Sequence, residues 1–244
     1  MMLPQATISE HEGVRYLHLG SPWVQGAMRL SEPWKLELEY IQQMMLWTLF
    51  TPAPEHIVQL GLGAASLTKF CYKQFPNAHI SAIELNPEIV RACHLLFELP
   101  PNDARLQVQL SDAHTWLDSC VEHARQVDIL QVDLYSDQAE HPALESSEFY
   151  QACAHALKPD GILTVNILGS PLVHARNIHA LQTHFEAVAW LPETHDGNIV
   201  AIAFKQAPSI DFDQLYERAN TLQKTLGLPA STWVDGLLSW MQGD

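Results

Sequence analysis

The chain has 244 residues, 47% of them hydrophobic and 17% charged, a composition that suits one sizeable core with short additions and excludes extended disorder. Asp and Glu number 28 against 13 Lys and Arg, for a formal charge of -15 with no basic cluster; nucleic acid and anionic membrane are poor partners for such a surface. A small cationic amine would be drawn to it, although acidity also simply keeps a protein soluble.

The start, MMLPQATISEHEGVRY, lacks the layout of a signal peptide, and the apolar stretch from Ile41 to Phe50 is too short and interrupted to cross a bilayer. Residues 5 to 30 alternate short apolar and polar runs broken by Gly13, Gly20, Pro22 and Gly26, which predicts two or three strands in a small N-terminal β segment, residues 1–33. After Pro33, Trp34, Leu38, Ile41, Met45 and Leu49 recur at helical spacing up to Pro52 and Pro54, which predicts one long helix over 34–50.

From His56 onward, apolar runs at 57–60, 80–83, 106–110, 127–132 and 162–167 alternate with helical patterns near 65–75, 87–97, 113–124, 146–157 and 172–184. That alternation predicts βαβ units, a parallel sheet and helices on both faces, a doubly wound α/β fold. Ala187 to Leu191 and Ile199 to Phe204, joined by a polar loop with Asp196 and Gly197, predict a terminal antiparallel hairpin. Phe212, Leu215, Tyr216, Ala219, Leu222 and Leu226 mark an amphipathic helix, and Trp233, Leu237, Trp240 and Met241 a final short one. The main domain is thus expected over 34–206 and a helical extension over 207–244. Apolar faces at 34–50 and on the last two helices either cover the core or form a homodimer contact.

Cys71, Cys93, Cys120 and Cys153 lie apart among helix-like residues, which points to reduced thiols and a cytoplasmic setting. Although there are 13 His, none forms H-E-x-x-H or a compact cluster with Cys, so no metal is expected.

The strongest local feature is Ile57-Val-Gln-Leu-Gly61-Leu-Gly63-Ala-Ala-Ser66, a strand running into a glycine turn and a helix. Such a turn lets a ligand approach the backbone at a helix N-terminus, though Gly serves any tight turn as well. The next strand ends at Glu84, about 20 residues on, where a carboxylate can accept both hydroxyls of a ribose. A third strand delivers Ser111, Asp112 and Ala113 to the same edge; Asp112 either accepts from an exocyclic amine such as that of adenine or caps the helix starting there. The fourth ends in Asp133, followed by Leu134, Tyr135, Ser136 and Asp137. Asp133 emerges beside the ligand site, and Tyr135 and Asp137 are placed to face a substrate; carboxylates here would hold an amine and accept its proton. Ser66 does not sit in a G-x-S-x-G elbow, and no Cys has a recognisable His, which disfavours hydrolysis through a covalent intermediate.

Taken together these stretches resemble the spermidine synthase family, within the S-adenosylmethionine-dependent methyltransferase fold, from about Tyr16 to Phe204. The likeness rests on Val24-Gln25, Tyr40 with Met44, Gly61-Leu-Gly63, Ile83-Glu84-Leu-Asn-Pro87, Asp112-Ala113, Val132-Asp133, Glu148-Phe149-Tyr150, Leu157-Lys-Pro-Asp-Gly161 and the closing hairpin. It implies a seven-stranded, mostly parallel sheet of the class I methyltransferase-like Rossmann kind. It implies that Glu84 binds the ribose, that Asp112 contacts adenine, and that Gly61, Leu62, Gly63, Leu85 and Ala113 line the donor. Gln25 and Tyr40 would border the active site, with Gln25 toward the donor and Tyr40 toward the substrate. Asp133 would assist the attacking amine, with Tyr135 and Asp137 in the same acidic loop. The implied reaction moves an aminopropyl group from decarboxylated S-adenosylmethionine to a small polyamine. The alternatives are methyl transfer from intact S-adenosylmethionine and nucleoside binding without catalysis. A nicotinamide-dependent dehydrogenase fits less well, because Ser66 stands where its motif has Gly or Ala.

Three positions depart from the family pattern. Ala64 stands where the family carries an acid that meets the donor's aminopropyl amine. The D-S-S-D-P loop reads Asp133-Leu-Tyr-Ser-Asp137-Gln138, and the His expected after the family's Tyr is Ile41.

Overall fold

Three antiparallel strands begin the chain: β1 (Ala6–His11), β2 (Val14–Leu19) and β3 (Val24–Arg29). The computed structural model describes residues 3–120, 127–134, 146–194 and 197–242. In the β2–β3 pair Leu17 faces Gly26 while His18 faces Val24, so Gln25 is the extra residue of a β-bulge. Bulges bend a strand and re-aim its side chains, and this one lies against the main sheet's glycine turn.

The main sheet has seven strands, β4 (His56–Leu60), β5 (His79–Glu84), β6 (Leu106–Leu110), β7 (Val127–Val132), β8 (Leu157–Leu168), β9 (Ala187–Trp190) and β10 (Asn198–Phe204), in the order β6-β5-β4-β7-β8-β10-β9. The first five pair in parallel, and β10 runs antiparallel to β8 and β9, as the alternation and the hairpin lead one to expect. The strand order reverses between β4 and β7. In open α/β sheets the crevice outside the carboxyl ends at such a reversal is where ligands bind.

The connecting helices are α2 (Ser66–Gln74), α3 (Pro87–Leu96), α4 (Ala113–Ser119), α5 (Ser147–Ala156) and α6 (Pro171–His184), following the short α1 (Glu39–Gln43); α7 (Phe212–Leu226) and α8 (Ala230–Gln242) close the chain. Alternate strand residues feed two cores. Ile57, Ile80, Leu106 and Ile129 pack on one face, and Val58, Ile83, Leu130 and Leu163 on the other. Both faces are covered, so the strands are near-continuous apolar runs. None of the described helices is long and apolar enough to cross a membrane.

The expected long helix over 34–50 is not formed. The segment makes only α1 and a 3₁₀ turn, Leu46–Leu49. A buried polar row explains the break. Gln59, Gln131 and Thr164 stand side by side on β4, β7 and β8, with Gln59 Nε2 donating to Gln131 Oε1 at 2.9 Å. Gln131 Nε2 and Thr164 Oγ1 then donate to the Met44 carbonyl at 2.9 and 3.2 Å. That carbonyl is what a continuing helix would offer Thr48, whose N–H bonds the Met45 carbonyl instead. Tyr40, Ile41, Met44, Met45, Leu46, Trp47 and Leu49 are all buried, so packing on the sheet overrides local helical preference. At α5 the helix yields to β8 directly at Leu157, because Pro159 drives Lys158 into an extended conformation.

Candidate active site

The carboxyl ends of β4, β5, β6 and β7 are laced together beyond their last paired residues. Gly61 N–H donates to the Ile83 carbonyl and Asp133 N–H to the Leu60 carbonyl, both at 2.9 Å, and Ser111 N–H to the Glu84 carbonyl at 3.0 Å. Gly61, Glu84, Ser111 and Asp133 therefore share one edge, as their positions at strand ends imply.

Gly61 is needed for two reasons. Its φ is +94°, and a methyl group there would lie 2.0 Å from the Asp133 carbonyl oxygen, so the turn admits Asp133 only because no side chain intervenes. At Gly63, φ +50°, an added Cβ would lie 2.8 Å from the Gln25 carbonyl oxygen. The bulge on β3 thus covers the glycine turn, and the Cys93 thiol donates to the Gly63 carbonyl at 3.1 Å. All four Cys are unpaired in disulfide terms; burial raises the Cys93 thiol pKa, keeping it protonated.

Ala64 is 2% exposed, and a methyl group on Gly26 would lie 2.6 Å from its Cβ and from its N. Strand β3 therefore leans on Ala64, and the space is already taken by backbone. Ala65, which starts α2, holds a left-handed φ of +57°, a conformation that costs a non-glycine residue about 1 kcal/mol or more.

Glu84 is 7% exposed. Its Oε2 accepts from the Leu62 N–H at 3.0 Å and its Oε1 from the Asn86 N–H at 2.8 Å. Burial raises its pKa, and the backbone N–H groups of Asn86, Leu62 and Leu85 work against that rise. A carboxylate has about four lone-pair sites, so roughly two remain for hydroxyls. Asn86 caps α3, its Oδ1 accepting from the Glu88 N–H at 3.0 Å, with Pro87 next. Leu85 and Leu110 are exposed apolar side chains on this rim, 53% and 59%, while Leu62 and Ala113 are buried beside them.

Asp112 caps α4, its Oδ1 accepting from the Thr115 N–H at 3.0 Å. The capping role weighed from the sequence is the one the structure displays, and the residue remains exposed at the same edge.

Asp133 is half-buried, and among the described residues its carboxyl meets two neutral donors. Asn166 Nδ2 donates to Oδ1 at 2.9 Å, and the Tyr40 hydroxyl donates from α1. Desolvation raises its pKa to about 6, with the Asn166 and Tyr40 bonds opposing. Tyr40, proposed from the sequence to border the site, is thus brought onto Asp133. Asn166 and its partner Asn198, donating at 2.7 Å, were not singled out. The available signal was Asn166 inside the apolar run at 162–167, since Asn is depleted in strands; Asn198, at the turn before the run that begins at Ile199, gave none. Tyr135 and Asp137 lie outside the described residues.

A concavity of about 470 Å³ opens at the other edge of the sheet between Glu55, His56, His79, Ser81, Arg105 and Lys158. Its strong cations are already engaged. Lys158 bonds Glu55 and Asp128, each at 2.8 Å, and Arg105 donates to the carbonyls of Tyr72, Phe75 and Ala78. The carboxyl edge, with polar groups still able to accept, is the chemically open one. Among the described residues no group of three or more His, Cys, Asp or Glu side chains is placed to hold a metal ion.

Comparison with known proteins identifies the family of the chain. The family profile of the spermine/spermidine synthase domain matches residues 49–214. The polyamine aminopropyltransferase of Neisseria meningitidis serogroup A is 33% identical over 237 residues, 96% of this chain and 89% of that protein. Its counterpart in Chromobacterium violaceum is 30% identical over 96% and 90% of the two chains. Among solved structures, a probable spermidine synthase from Corynebacterium glutamicum superposes with a TM-score of 0.75 at 18% identity, covering 95% and 91%.

Proposed function

This chain belongs to the spermine/spermidine synthase family, and from that premise we propose how its own residues carry out aminopropyl transfer to a polyamine. The activity is that of an aminopropyltransferase, as its relatives are named. The observation that carries the mechanism is Asp133: a carboxylate at the sheet's reversal point that, among the described residues, is held by the neutral donors Tyr40 and Asn166.

The donor we assign is decarboxylated S-adenosylmethionine. Glu84 fits the ribose, because it stands at the end of β5 with acceptor capacity beyond its two backbone bonds. The glycine turn, Leu62 and Gln25 fit the sulfonium side, and Leu85, Leu110, Asp112 and Ala113 the base. The donor supplies the electrophilic carbon. Because Ala64 is packed under Gly26, the amine of the donor finds no acid at that position, and its recognition falls to the rest of the edge.

An amine of ordinary pKa about 10.4 arrives protonated. One proton must leave before the nitrogen lone pair can attack. Asp133, with its pKa near 6, accepts that proton about a hundredfold better than an aspartate of pKa near 4. The nitrogen then bonds to the aminopropyl carbon, the carbon–sulfur bond breaks with its electron pair going to sulfur, and methylthioadenosine leaves. Alignment by the fixed edge contributes several kcal/mol, on the order of 7 to 11 in well-oriented cases.

Calorimetric titration with decarboxylated S-adenosylmethionine, intact S-adenosylmethionine and methylthioadenosine tests the donor. Preference for the decarboxylated form, lost in Glu84→Ala, is the expected result; preference for the intact form would overturn the assignment in favour of methyl transfer.

A further inference from the structure

The Asp133 carboxyl is backed by two buried amides in series, and the geometry points to Asn198 as a positioning residue that orients Asp133 by fixing which end of the Asn166 amide faces it. This inference rests on the reading of Asp133 as the proton acceptor.

The direction of the relay follows from its end. A carboxylate only accepts, so Asn166 must present Nδ2 to Asp133 Oδ1, the 2.9 Å contact observed. The Asn166 amide could rotate half a turn with almost no change of shape, which would set its oxygen against the carboxylate. Asn198 removes that choice. Its Nδ2 donates to Asn166 Oδ1 at 2.7 Å, so a rotated Asn166 would set acceptor against acceptor at Asp133 and donor against donor at Asn198.

Sheet register makes the relay. Val132 pairs with Val165, which sets positions 133 and 166 beside each other on β7 and β8. Asn166 faces Val200 and Asn198 faces Leu168 on the antiparallel β10, so the two amides are diagonal neighbours on one face. Asn198 is itself anchored, its carbonyl accepting from the Thr194 N–H at 2.9 Å. Both amides are buried, at 1% and 5% exposure, so neither can exchange its partner for bulk water. Apolar residues would fill these positions without a polar group to satisfy. The retained amides deliver one oriented donor to Asp133, in addition to the one that Tyr40 supplies from α1.

The test is the pH profile of turnover with decarboxylated S-adenosylmethionine and a straight-chain diamine, alongside calorimetric binding of the donor. In Asn198→Leu the relay loses its donor, and kcat should fall about tenfold, the equivalent of one hydrogen bond. The acid limb of the profile should move to higher pH while donor affinity stays unchanged. Asn198→Asp keeps the volume should the Leu variant fail to fold; its carboxylate would draw Asn166 Nδ2 away from Asp133 and give a larger loss and shift. Asn198→Gln, retaining the amide, should recover part of the rate. Val200→Ala, equally buried and facing Asn166, serves as the packing control: it should lower Tm without moving the acid limb. Asp133→Asn is run in parallel. If it is inactive while both Asn198→Leu and Asn198→Asp keep the native kcat and acid limb, the positioning role is overturned and the role of Asp133 stands. If Asp133→Asn retains turnover, both are overturned.

Discussion

Strand β7 carries an acid near each end, and the two are treated in opposite ways. Asp128, at the amino edge, accepts the Glu55 and His56 N–H groups at 3.0 and 2.8 Å and pairs with Lys158 at 2.8 Å. Lys158 is held charged, its pKa raised first by Asp128 and then by Glu55. Asp133, at the carboxyl edge, meets an amide and a phenol. An opposite charge stabilises an ionised group outright, while neutral donors only soften the loss of water. The first arrangement holds the sheet edge together. The second leaves the carboxyl with its pKa raised to about 6, and that cost falls on folding stability.

Substitutions sharpen this contrast. The largest effect is expected for Asp133→Asn, which should lower turnover by roughly 10²- to 10⁴-fold, the range for losing a proton-transfer group, with donor affinity little changed; Asp128→Asn should leave turnover near native. In the native enzyme kcat should rise with pH through about 6 as Asp133 ionises, and steady-state rates across that range would show it. Glu84→Ala should weaken donor binding by about a hundredfold, as two hydrogen bonds to a charged group are lost; calorimetry measures this directly.

The fourth prediction concerns stability, where the two acids should move in opposite directions. The pKa of Asp133 is higher in the folded state than the usual value near 4, so its favourable contribution is present below pH 4 and lost as pH rises to about 6. Asp133→Asn should therefore match the native protein near pH 4 and exceed it by about 1–3 kcal/mol above pH 7. Asp128→Asn should instead destabilise by about 1–3 kcal/mol at neutral pH, because Lys158 is left facing an amide. Thermal unfolding across pH separates the cases, and equal signs for the two variants would break the comparison. The smallest effect is expected at Ala65→Gly, which relieves the left-handed φ and should stabilise by about 1 kcal/mol or less, after the entropy that Gly gains when unfolded.

Much of the frame was legible beforehand. Apolar runs alternating with helical periods located the strands of the parallel sheet to within a few residues, and Gly61, Glu84, Asp112 and Asp133 fell at or just beyond strand ends, along the carboxyl edge of the sheet. The segment 34–50 was misread because its spacing matches a helix, while the groups that break it, Gln131 and Thr164, are far away in sequence. Asn166 and Asn198 were hidden for the same reason. Asn166 looks like a blemish in an apolar strand, and Asn198 like part of a polar turn, until the sheet brings them together.

By itself, then, the sequence determined what depends on neighbours along the chain: the period of each element, the glycine turn, the helix caps at Asn86 and Asp112, and the excess of acid. Tertiary structure alone decided which donors Asp133 meets, why Gly61 can hold no side chain, and why Ala64 leaves no room for a larger one. Those are contacts between β7, β8, α1 and the bulged β3, set by sheet register and close packing. Local periodicity carries no record of register between distant strands, so the environment that raises the Asp133 pKa exists only once the fold has formed.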